Sequence, residues 1–278
     1  MKLLRSSHLS LMSAISLGVI AFIVLFARMI APYDPEKVVA QADTAPSAAH
    51  PFGTDSTGMD VFSRTLVAAQ IDVTLAIVVT ISATVLGLLV GLIVGMNESR
   101  GGYEGAASRG ASRTLDLTDA IPPLVIGVVV VGLMGASTVS LSIALAVILM
   151  PNQARLTRAE VLKVRGDAYV EAALMAGLRP WQVTLRHVLP NSARPAIENC
   201  SNIFGYSIIV LASLGFLGIG LNPPTPEWGN MISRGVSDVM LGSWWSALFP
   251  AVFLMLTVIA AASMTDALTR LSRGPAYA

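Results

Sequence analysis

Residues 120–154 have the sequence AIPPLVIGVVVVGLMGASTVSLSIALAVILMPNQA and contain no charged side chain. As a single α-helix with a rise of ~1.5 Å per residue, this stretch would be about 52 Å long, whereas the hydrocarbon core of a bilayer is ~30 Å thick. The stretch is therefore predicted to cross a membrane twice. The turn is expected at 135–138, where the small residues Gly-Ala-Ser-Thr interrupt the apolar run.

The composition of the whole chain also indicates a membrane protein. Of the 278 residues, 54% are hydrophobic and 13% are charged, whereas soluble domains carry about 25% charged residues. Four further runs without charge are each long enough for one span, at 9–27, 73–96, 199–226 and 239–265. We therefore predict an all-α, polytopic membrane protein with six transmembrane helices, near residues 9–30, 72–96, 116–134, 138–155, 196–220 and 245–266.

The distribution of basic residues predicts the orientation of these helices. Fourteen of the eighteen Lys and Arg residues fall on the side that carries both termini, whereas Lys37, Arg64 and Arg234 fall in loops on the opposite side. Because basic residues are enriched on the cytoplasmic side of membrane proteins, both termini are predicted to be cytoplasmic. The first apolar run is longer than that of a cleaved signal peptide, so we expect it to be a retained anchor.

Charge and motif content exclude several classes of protein. A net charge of +1 does not fit a nucleic-acid-binding chain, which would carry a dense basic patch. Cys200 is the single cysteine, and His8, His50 and His187 are far apart, so neither a disulfide framework nor a metal site is predicted. The chain has no Gly-Lys pair of a phosphate-binding loop and no HExxH or GxSxG motif, so no catalytic residue is predicted.

Two loops are too long for simple turns, the outer segment 32–70 and the inner segment 152–195. Long loops with internal order usually have a function. The inner segment carries seven of the eighteen basic residues. It is therefore the first place to look for a functional site.

The inner segment is predicted to contain two short helices outside the bilayer. The first, at 168–176, can be capped by Asp167 and ended by Gly177, which is free to adopt a positive φ. The second, at 181–189, is expected to stop at Pro190. Apolar side chains on these helices suit either docking into a groove of a partner protein or an amphipathic helix on the membrane surface. The residues alone leave both alternatives open.

Glycine recurs every four residues in the second span, at Gly87, Gly91 and Gly95. Small residues at this spacing allow two helix backbones to approach closely. We therefore assign these glycines to helix packing and not to a ligand site.

Four segments resemble a known family of transport proteins. Residues 171–191, EAALMAGLRPWQVTLRHVLPN, resemble the EAA loop of the permease subunits of ABC importers. Residues 50–64 (HPFGTDSTGMDVFSR), 113–124 (RTLDLTDAIPPL) and 214–230 (LGFLGIGLNPPTPEWGN) resemble the C-type permease of dipeptide and oligopeptide importers. Met59 departs from the pattern, because arginine is usual at this position.

The resemblance implies a fold and a function. Residues 1–70 would form an N-terminal anchor helix and an outer segment, and residues 71–278 would form the transmembrane domain with a five-helix core. Residues 152–195 would be the cytoplasmic coupling loop. The chain would form half of the translocation path of an ATP-driven, binding-protein-dependent importer of dipeptides or oligopeptides. Nickel complexes or glutathione are the alternative solutes.

The resemblance also implies partners and site residues. The partners would be a second permease subunit, one or two ATP-binding subunits that hold ATP and Mg, and an extracytoplasmic substrate-binding protein, assembled in the prokaryotic inner membrane. The coupling loop would contact the ATPase through Glu171, Ala172, Ala173, Leu174, Gly177, Leu178, His187 and Pro190. Candidates for docking of the binding protein are Phe52, Asp55, Asp60, Arg64, Pro223, Pro224 and Trp228. Candidates for the translocation path are Asp119, Pro122, Pro123, Ser213 and Phe216.

Two acidic residues near span ends have competing interpretations. Asp119 is either part of the path or a structural residue that caps a helix or pairs with Arg113. Glu198 is expected to pair with Arg194, four residues earlier. An ion-coupled secondary transporter is the second functional hypothesis, but it would need ionisable groups in the middle of its spans, where this sequence has none.

Overall fold

A computed structural model describes the backbone of residues 18–272 and the side chains of residues 18–263. The described chain is built from α-helices, as predicted. In chain order they are α1 (Gly18–Ile30), α2 (Val61–Asn97), α3 (Gly102–Leu117), α4 (Pro123–Met134), α5 (Thr138–Val164), α6 (Ala168–Met175), α7 (Pro180–Val183), α8 (Leu189–Ser192), α9 (Arg194–Glu198), α10 (Cys200–Phe216), α11 (Trp228–Met240) and α12 (Trp245–Ser272).

Several of these helices can span a membrane. α2, α5 and the part of α12 up to Ser263 are each long and apolar enough to do so alone. Two more candidates arise when helices on either side of a short break are combined, Gly102–Ala120 with Pro123–Met134 and Pro180–Glu198 with Cys200–Phe216. α1 is a shorter apolar helix, and the predicted start of its span at residue 9 lies outside the described residues. The described chain is thus that of a polytopic membrane protein.

The second helix begins earlier than its apolar pattern predicts, at Val61 instead of residue 72. Asp60 explains the start, because its Oδ2 accepts hydrogen bonds from the Ser63 N–H at 2.8 Å and the Ser63 hydroxyl at 2.7 Å. An aspartate at this position satisfies N–H groups that have no partner inside a helix. The charged residues Arg64 and Asp72 interrupt the apolar run and conceal this first part of the helix.

The turn predicted inside the long charge-free run is confirmed. α4 ends at Met134, Gly135 adopts a φ of +80°, and α5 begins at Thr138. The predicted third helix starts earlier, at Gly102, and is broken between Ala120 and Pro123. Proline disfavours helical conformation in the residue that precedes it, so the Pro-Pro pair accounts for the break.

The described residues form two compact units. The first comprises residues up to Val79, Leu124–Leu145 and the residues from Ser201. Its core includes nine buried side chains, Val61, Ala68, Ala69, Val73, Ala76, Ile208, Trp228, Met231 and Trp245. The division at residue 70 that the sequence suggested stays a prediction.

The second unit comprises Thr80–Pro123 and Ala146–Cys200. Here α2 packs closely on α5 through its glycines. A Cβ atom at Gly87 would lie 2.4 Å from the Cβ of Gln153, and one at Gly91 would lie 2.5 Å from the carbonyl oxygen of Ala154. The predicted packing role of these glycines is therefore confirmed.

The inner helices differ in detail from the prediction. α6 follows Asp167, whose side chain makes no capping hydrogen bond. The second helix does not stop at Pro190, so this prediction was wrong: α7 continues through a π-helical turn at Thr184–Val188 into α8. Pro190 lies in the first turn of α8, directly after the π-helical turn, so the hydrogen-bond pattern of the helix changes ahead of the proline and the helix does not end there.

Candidate functional site

The turn after α6 has the geometry that the sequence predicted. Gly177 adopts a φ of +87°, its N–H donates to the Leu174 carbonyl at 3.0 Å, and the Leu178 N–H donates to the Ala173 carbonyl at 3.3 Å. These bonds satisfy carbonyl groups at the end of the helix. No atom lies within 4 Å of a Cβ built at Gly177, so the backbone conformation and not lack of space requires glycine here.

One face of α6 belongs to an apolar core of the second unit. Val170 is buried, and Ala173 and Leu178 are partly buried in the same cluster. The other members come from α2, α5, α7, α8 and the π turn, namely Leu92, Met96, Val161, Val164, Val183, Val188 and Leu189. Two of the predicted coupling residues, Ala173 and Leu178, therefore attach the loop to α2 and α5.

The opposite face of α6 is exposed. Glu171, Ala172 and Leu174 lie on it, and Met175 next to them is 82% exposed. Trp181, at the start of α7, is 58% exposed. Large exposed apolar side chains of this kind usually mark a surface that another protein or a membrane covers.

His187 and Asn191 hold α6 against the following helices. The Asn191 side-chain amide donates to the His187 carbonyl at 2.6 Å and to the Tyr169 hydroxyl at 3.2 Å. The rings of Tyr169 and His187 meet edge to face, with their centres 6.3 Å apart. The predicted coupling residue His187 therefore makes its contacts within the loop, with Tyr169 and Asn191. Pro190 is exposed beside it.

Two arginines of the coupling loop and α5 bind the inner end of α2. Arg158 forms two hydrogen bonds of 2.7 Å with the Glu98 carboxylate, and this guanidinium holds the pKa of Glu98 below its ordinary value. Arg165 donates to the Gly95 carbonyl at 3.0 Å and to the Ser99 hydroxyl. These long-range contacts could not be predicted from local sequence patterns.

Arg64 joins parts of the chain that are distant in sequence. Its Nη1 lies 2.7 Å from the Pro35 carbonyl oxygen, 3.1 Å from the Pro224 carbonyl oxygen and 2.7 Å from the sulfur of Met59. The side chain is buried. Met59, which replaces the arginine usual in the family, therefore contacts a neighbouring arginine.

Asp60 is at the centre of a second buried cluster on the outer face. Its Oδ1 lies 2.9 Å from Nδ1 of His50, and its other oxygen binds Ser63. The ring of Tyr33 stacks on His50 with a centre-to-centre distance of 4.8 Å. Asp60 is fully buried in this arrangement.

The predicted docking residues differ in exposure. Trp228 is fully buried and donates from Nε1 to the Thr65 carbonyl at 3.1 Å, and Phe52 stacks on Phe249 at 3.9 Å. Asp60 and Arg64 are also buried within the chain. The exposed candidates are Pro223 and Pro224, and Asp55 is half-buried.

Two buried acids were missed by the sequence analysis. Asp72 and Glu227 are both inaccessible to solvent in the first unit. Burial raises the pKa of Glu227, which lies in a loop outside the candidate spans, to about 7. Glu227 is part of the EWG segment quoted above, but Asp72 lies at the edge of a charge-free run and gave no signal.

Asp119 is paired, although not with Arg113. Its carboxylate lies 2.7 Å from Nη2 of Arg155, and the same arginine donates through Nη1 to the Leu115 carbonyl at 2.5 Å. Asp119 therefore forms an ion pair, but its partner is Arg155 and not the predicted Arg113. The predicted pair of Arg194 and Glu198 is present at 3.0 Å.

The other path candidates have no shared site in the described structure. Pro122 and Pro123 lie at the break before α4. Ser213 donates its hydroxyl to the Ile209 carbonyl at 2.7 Å, and Phe216 is half-exposed at the end of α10. No group of three or more His, Cys, Asp or Glu side chains among the described residues could hold a metal ion.

Comparison with known proteins connects this fold and loop to a transport family. Residues 83–274 match the family described as the binding-protein-dependent transport system inner membrane component. The glutathione transport system permease protein GsiD of Escherichia coli O1:K1 is 35% identical over 266 residues, which cover 95% of this chain and 86% of that protein. The same protein of Shigella boydii serotype 4 matches with the same identity and coverage.

A solved structure agrees on the fold. The crystal structure of an amino acid ABC transporter with histidines superimposes with a TM-score of 0.52 and 16% identity, over 72% of this chain and 89% of that chain. The helical fold, the apolar spans and the coupling loop define a membrane-embedded transport permease. The chain belongs to the family of binding-protein-dependent transport system inner membrane components and is an ABC importer permease subunit.

Proposed function

We propose that this chain is one of two permease subunits of an ATP-driven importer of small peptides, with glutathione as the first solute to test. The observation that supports the proposal is the coupling loop, in which Gly177 ends α6 with a φ of +87° and leaves Glu171, Ala172 and Leu174 exposed. This surface matches the segment by which family members contact their ATPase. The chain itself would hold neither ATP nor Mg, which belong to the ATP-binding subunits.

The mechanism would be mechanical and would not involve chemistry on this chain. Closure of the ATP-binding subunits around ATP would displace the exposed face of α6. Because the opposite face packs on Val161, Val164 and Leu92, the displacement would reach α5 and α2 directly. The two spans would tilt and switch the path between inward-open and outward-open states. A homologous second permease would supply the other half of the path.

The choice of solute rests on the relatives and on the family. The relative with 35% identity is named as a glutathione transport permease. Glutathione is a small peptide, so the name fits the importer of dipeptides or oligopeptides that the sequence motifs imply. A nickel complex is the alternative solute, and no described cluster on this chain favours it.

On the outer side, the exposed prolines Pro223 and Pro224 offer a stiff surface for a substrate-binding protein. Preorganised surfaces lose little freedom on binding, which favours docking. Arg64 would support this surface from below, because it binds the Pro224 carbonyl oxygen. We propose that this face is extracytoplasmic and that both termini are cytoplasmic.

Uptake into proteoliposomes tests the proposal. The full complex, with its second permease and ATP-binding subunits, would be reconstituted with the binding protein and supplied separately with labelled glutathione, a dipeptide and a nickel complex. We expect uptake that requires ATP and the binding protein, for glutathione or the dipeptide. Uptake driven by an ion gradient without ATP would contradict the proposal. Uptake of the nickel complex alone would show that the solute is a nickel complex and not a small peptide.

A further inference from the structure

Gln153 is a fully buried polar side chain inside α5, in the second unit. It makes three hydrogen bonds there. Its Nε2 donates to the Thr84 hydroxyl at 2.9 Å and to the Ala196 carbonyl at 3.1 Å, and its Oε1 accepts from the Asn199 side-chain amide at 3.1 Å. One side chain thus holds α2, α5 and the chain around α9 together.

The surroundings leave little freedom for this side chain. A Cβ atom at Gly87 would lie 2.4 Å from the Cβ of Gln153, so the backbone of α2 lies directly against it. The Thr84 hydroxyl also contacts the sulfur of Cys200 at 3.4 Å. A buried network in which each polar group is bonded fixes one arrangement of its helices, whereas a partly bonded network is costly.

The partners of Gln153 have a particular position in the chain. Ala196 lies in α9, and Asn199 lies between α9 and α10. Both follow the coupling loop directly. On the other side of the loop, α6 packs on α5 and α2 through Val170 and Val161. The loop is therefore attached to the same two helices twice, by an apolar cluster near α6 and by the bonds of Gln153 to Ala196 and Asn199, just after the last residue of the loop.

We propose that Gln153 is a positioning residue for transport, which fastens the far end of the coupling loop to α2 and α5 so that all three move as one body. This inference rests on the proposed function. Without the three hydrogen bonds, displacement of α6 would be absorbed in the segment from α8 to α9 instead of reaching the spans. ATP hydrolysis would then continue with less transport.

The test measures the number of solute molecules imported per ATP hydrolysed, in proteoliposomes that contain the complete complex. Gln153→Met keeps the length of the side chain and removes its hydrogen bonds. We expect this ratio to fall clearly below that of the wild type, because the buried partners of Gln153 lose their bonds and no longer fix one arrangement of the helices, whereas basal hydrolysis and co-purification of the ATP-binding subunits stay as in the wild type.

Matched variants separate this role from a general effect on folding. Gln70→Met makes the same change in α2 and removes the bond of Gln70 to the Val24 carbonyl, away from the coupling loop, so its ratio should be that of the wild type. Thr84→Val should lower the ratio, and Thr84→Ser, which keeps the hydroxyl, should restore it. Adding Asn199→Leu to Gln153→Met should cause little further loss, because both act through one network.

Two outcomes would overturn the inference directly. The first is a normal ratio in assembled Gln153→Met complexes. The second is a smaller amount of complex whose surviving fraction has a normal ratio, since this would make Gln153 purely structural. If the Gln153→Met complex does not assemble, the same ratio measured for Thr84→Val tests the inference by the same two outcomes. Absence of ATP-dependent uptake in the wild type would instead refute the proposed function, and the inference would fall with it.

Discussion

Asp72 and Glu227 cap the same helix from different parts of the chain. Oδ2 of Asp72 accepts the Trp228 N–H at 3.0 Å, and Oε1 of Glu227 accepts the Gly229 N–H at 3.1 Å, at the start of α11. Both carboxyl groups also have one buried oxygen without a hydrogen-bond partner in the described structure. Negative charge is favourable at a helix N-terminus, but burial of the Glu227 carboxyl disfavours its charged form.

Glycine makes room for this acid pair. A Cβ atom at Gly215 would lie 2.1 Å from Oε1 of Glu227, and one at Gly220 would lie 2.1 Å from Oε2. Gly215 and Gly220 of the LGFLGIGLNPPTPEWGN segment are therefore explained by the Glu227 carboxyl group that they contact. The same segment provides both the acid and the space that it needs.

The first prediction concerns the pH dependence of stability. Burial raises the pKa of Glu227 to about 7, whereas the unfolded carboxyl titrates near its ordinary value. Below the ordinary value both states are protonated. Between that value and about 7 only the folded state keeps its proton, so the contribution of Glu227 to stability falls as the pH rises. Above this range the contribution is constant.

Glu227→Gln should reduce this slope, because glutamine does not titrate and the contribution of Glu227 is lost. The measurement is the thermal unfolding temperature of the purified chain over this pH range, compared between wild type and variant. Glu104→Gln, a change at an exposed glutamate of α3, is the control and should leave the slope unchanged. Parallel curves for wild type and Glu227→Gln would show that Glu227 ionises normally.

The second prediction concerns the ion pair at the inner end of α2. Glu98 and Arg158 are each mostly buried and form two bonds of 2.7 Å, whereas Glu104 and Arg100 form an exposed pair. Glu98→Gln should lower the free energy of unfolding by about 1.5–3 kcal/mol, because a charge-assisted bond is lost. Glu104→Gln should cost less than about 1 kcal/mol. Denaturant titration of the two variants checks the difference, and equal costs would contradict it.

The third prediction concerns the contact between α2 and α5. A side chain at Gly91 would overlap the Ala154 carbonyl oxygen and the Thr157 side chain, whereas nothing lies within 4 Å of a Cβ at Gly132 in α4. Gly91→Val should therefore destabilise the chain by about 1–3 kcal/mol through overpacking. Gly132→Val changes helix propensity in the same way and should destabilise the chain by a smaller amount. Similar unfolding temperatures for both variants would refute close packing at Gly91.

The fourth prediction concerns orientation. The distribution of basic residues predicts that the coupling loop is cytoplasmic and that the segment 32–70 is outside. A reporter fused after residue 165 should be cytoplasmic, and one inserted at residue 45 should be extracytoplasmic. The reverse result would overturn the proposed orientation, and with it the assignment of the coupling loop to the ATPase.

Sequence patterns predicted the features that depend on local chemistry. The fold-back at Gly135 and the positive φ of Gly177 follow from residues within a few positions of each turn. The end of the second inner helix was missed because Pro190 directly follows a π turn, which changes the hydrogen-bond pattern ahead of the proline and has no sequence signal.

Features that depend on tertiary contacts could not be predicted. Arg64 and Trp228 looked like residues of an exposed outer surface, but long-range hydrogen bonds and packing bury them. Asp72 and Glu227 meet only after folding. Gln153 appeared as one polar residue at the end of an apolar run, and its three partners are distant in sequence.

The fifth prediction concerns the turn after α6. At a φ of +87° a residue with a side chain costs roughly 1–2 kcal/mol, and asparagine tolerates this conformation better than most residues. Gly177→Val should therefore reorient the exposed face of α6 and abolish uptake, whereas Gly177→Asn should retain much of it. Both variants should insert into the membrane normally. Equal uptake in the two variants would show that the conformation of this turn is not needed.

The exposed face of α6 is proposed to bind the ATP-binding subunits. This is tested by the amount of ATP-binding subunit that co-purifies with the membrane-inserted chain carrying Glu171→Lys, compared with the exposed control Glu104→Lys. We expect a strong loss with Glu171→Lys and wild-type recovery with Glu104→Lys. Full retention of the ATP-binding subunits by Glu171→Lys, together with normal uptake, would refute this role and leave α6 as a helix on the membrane surface.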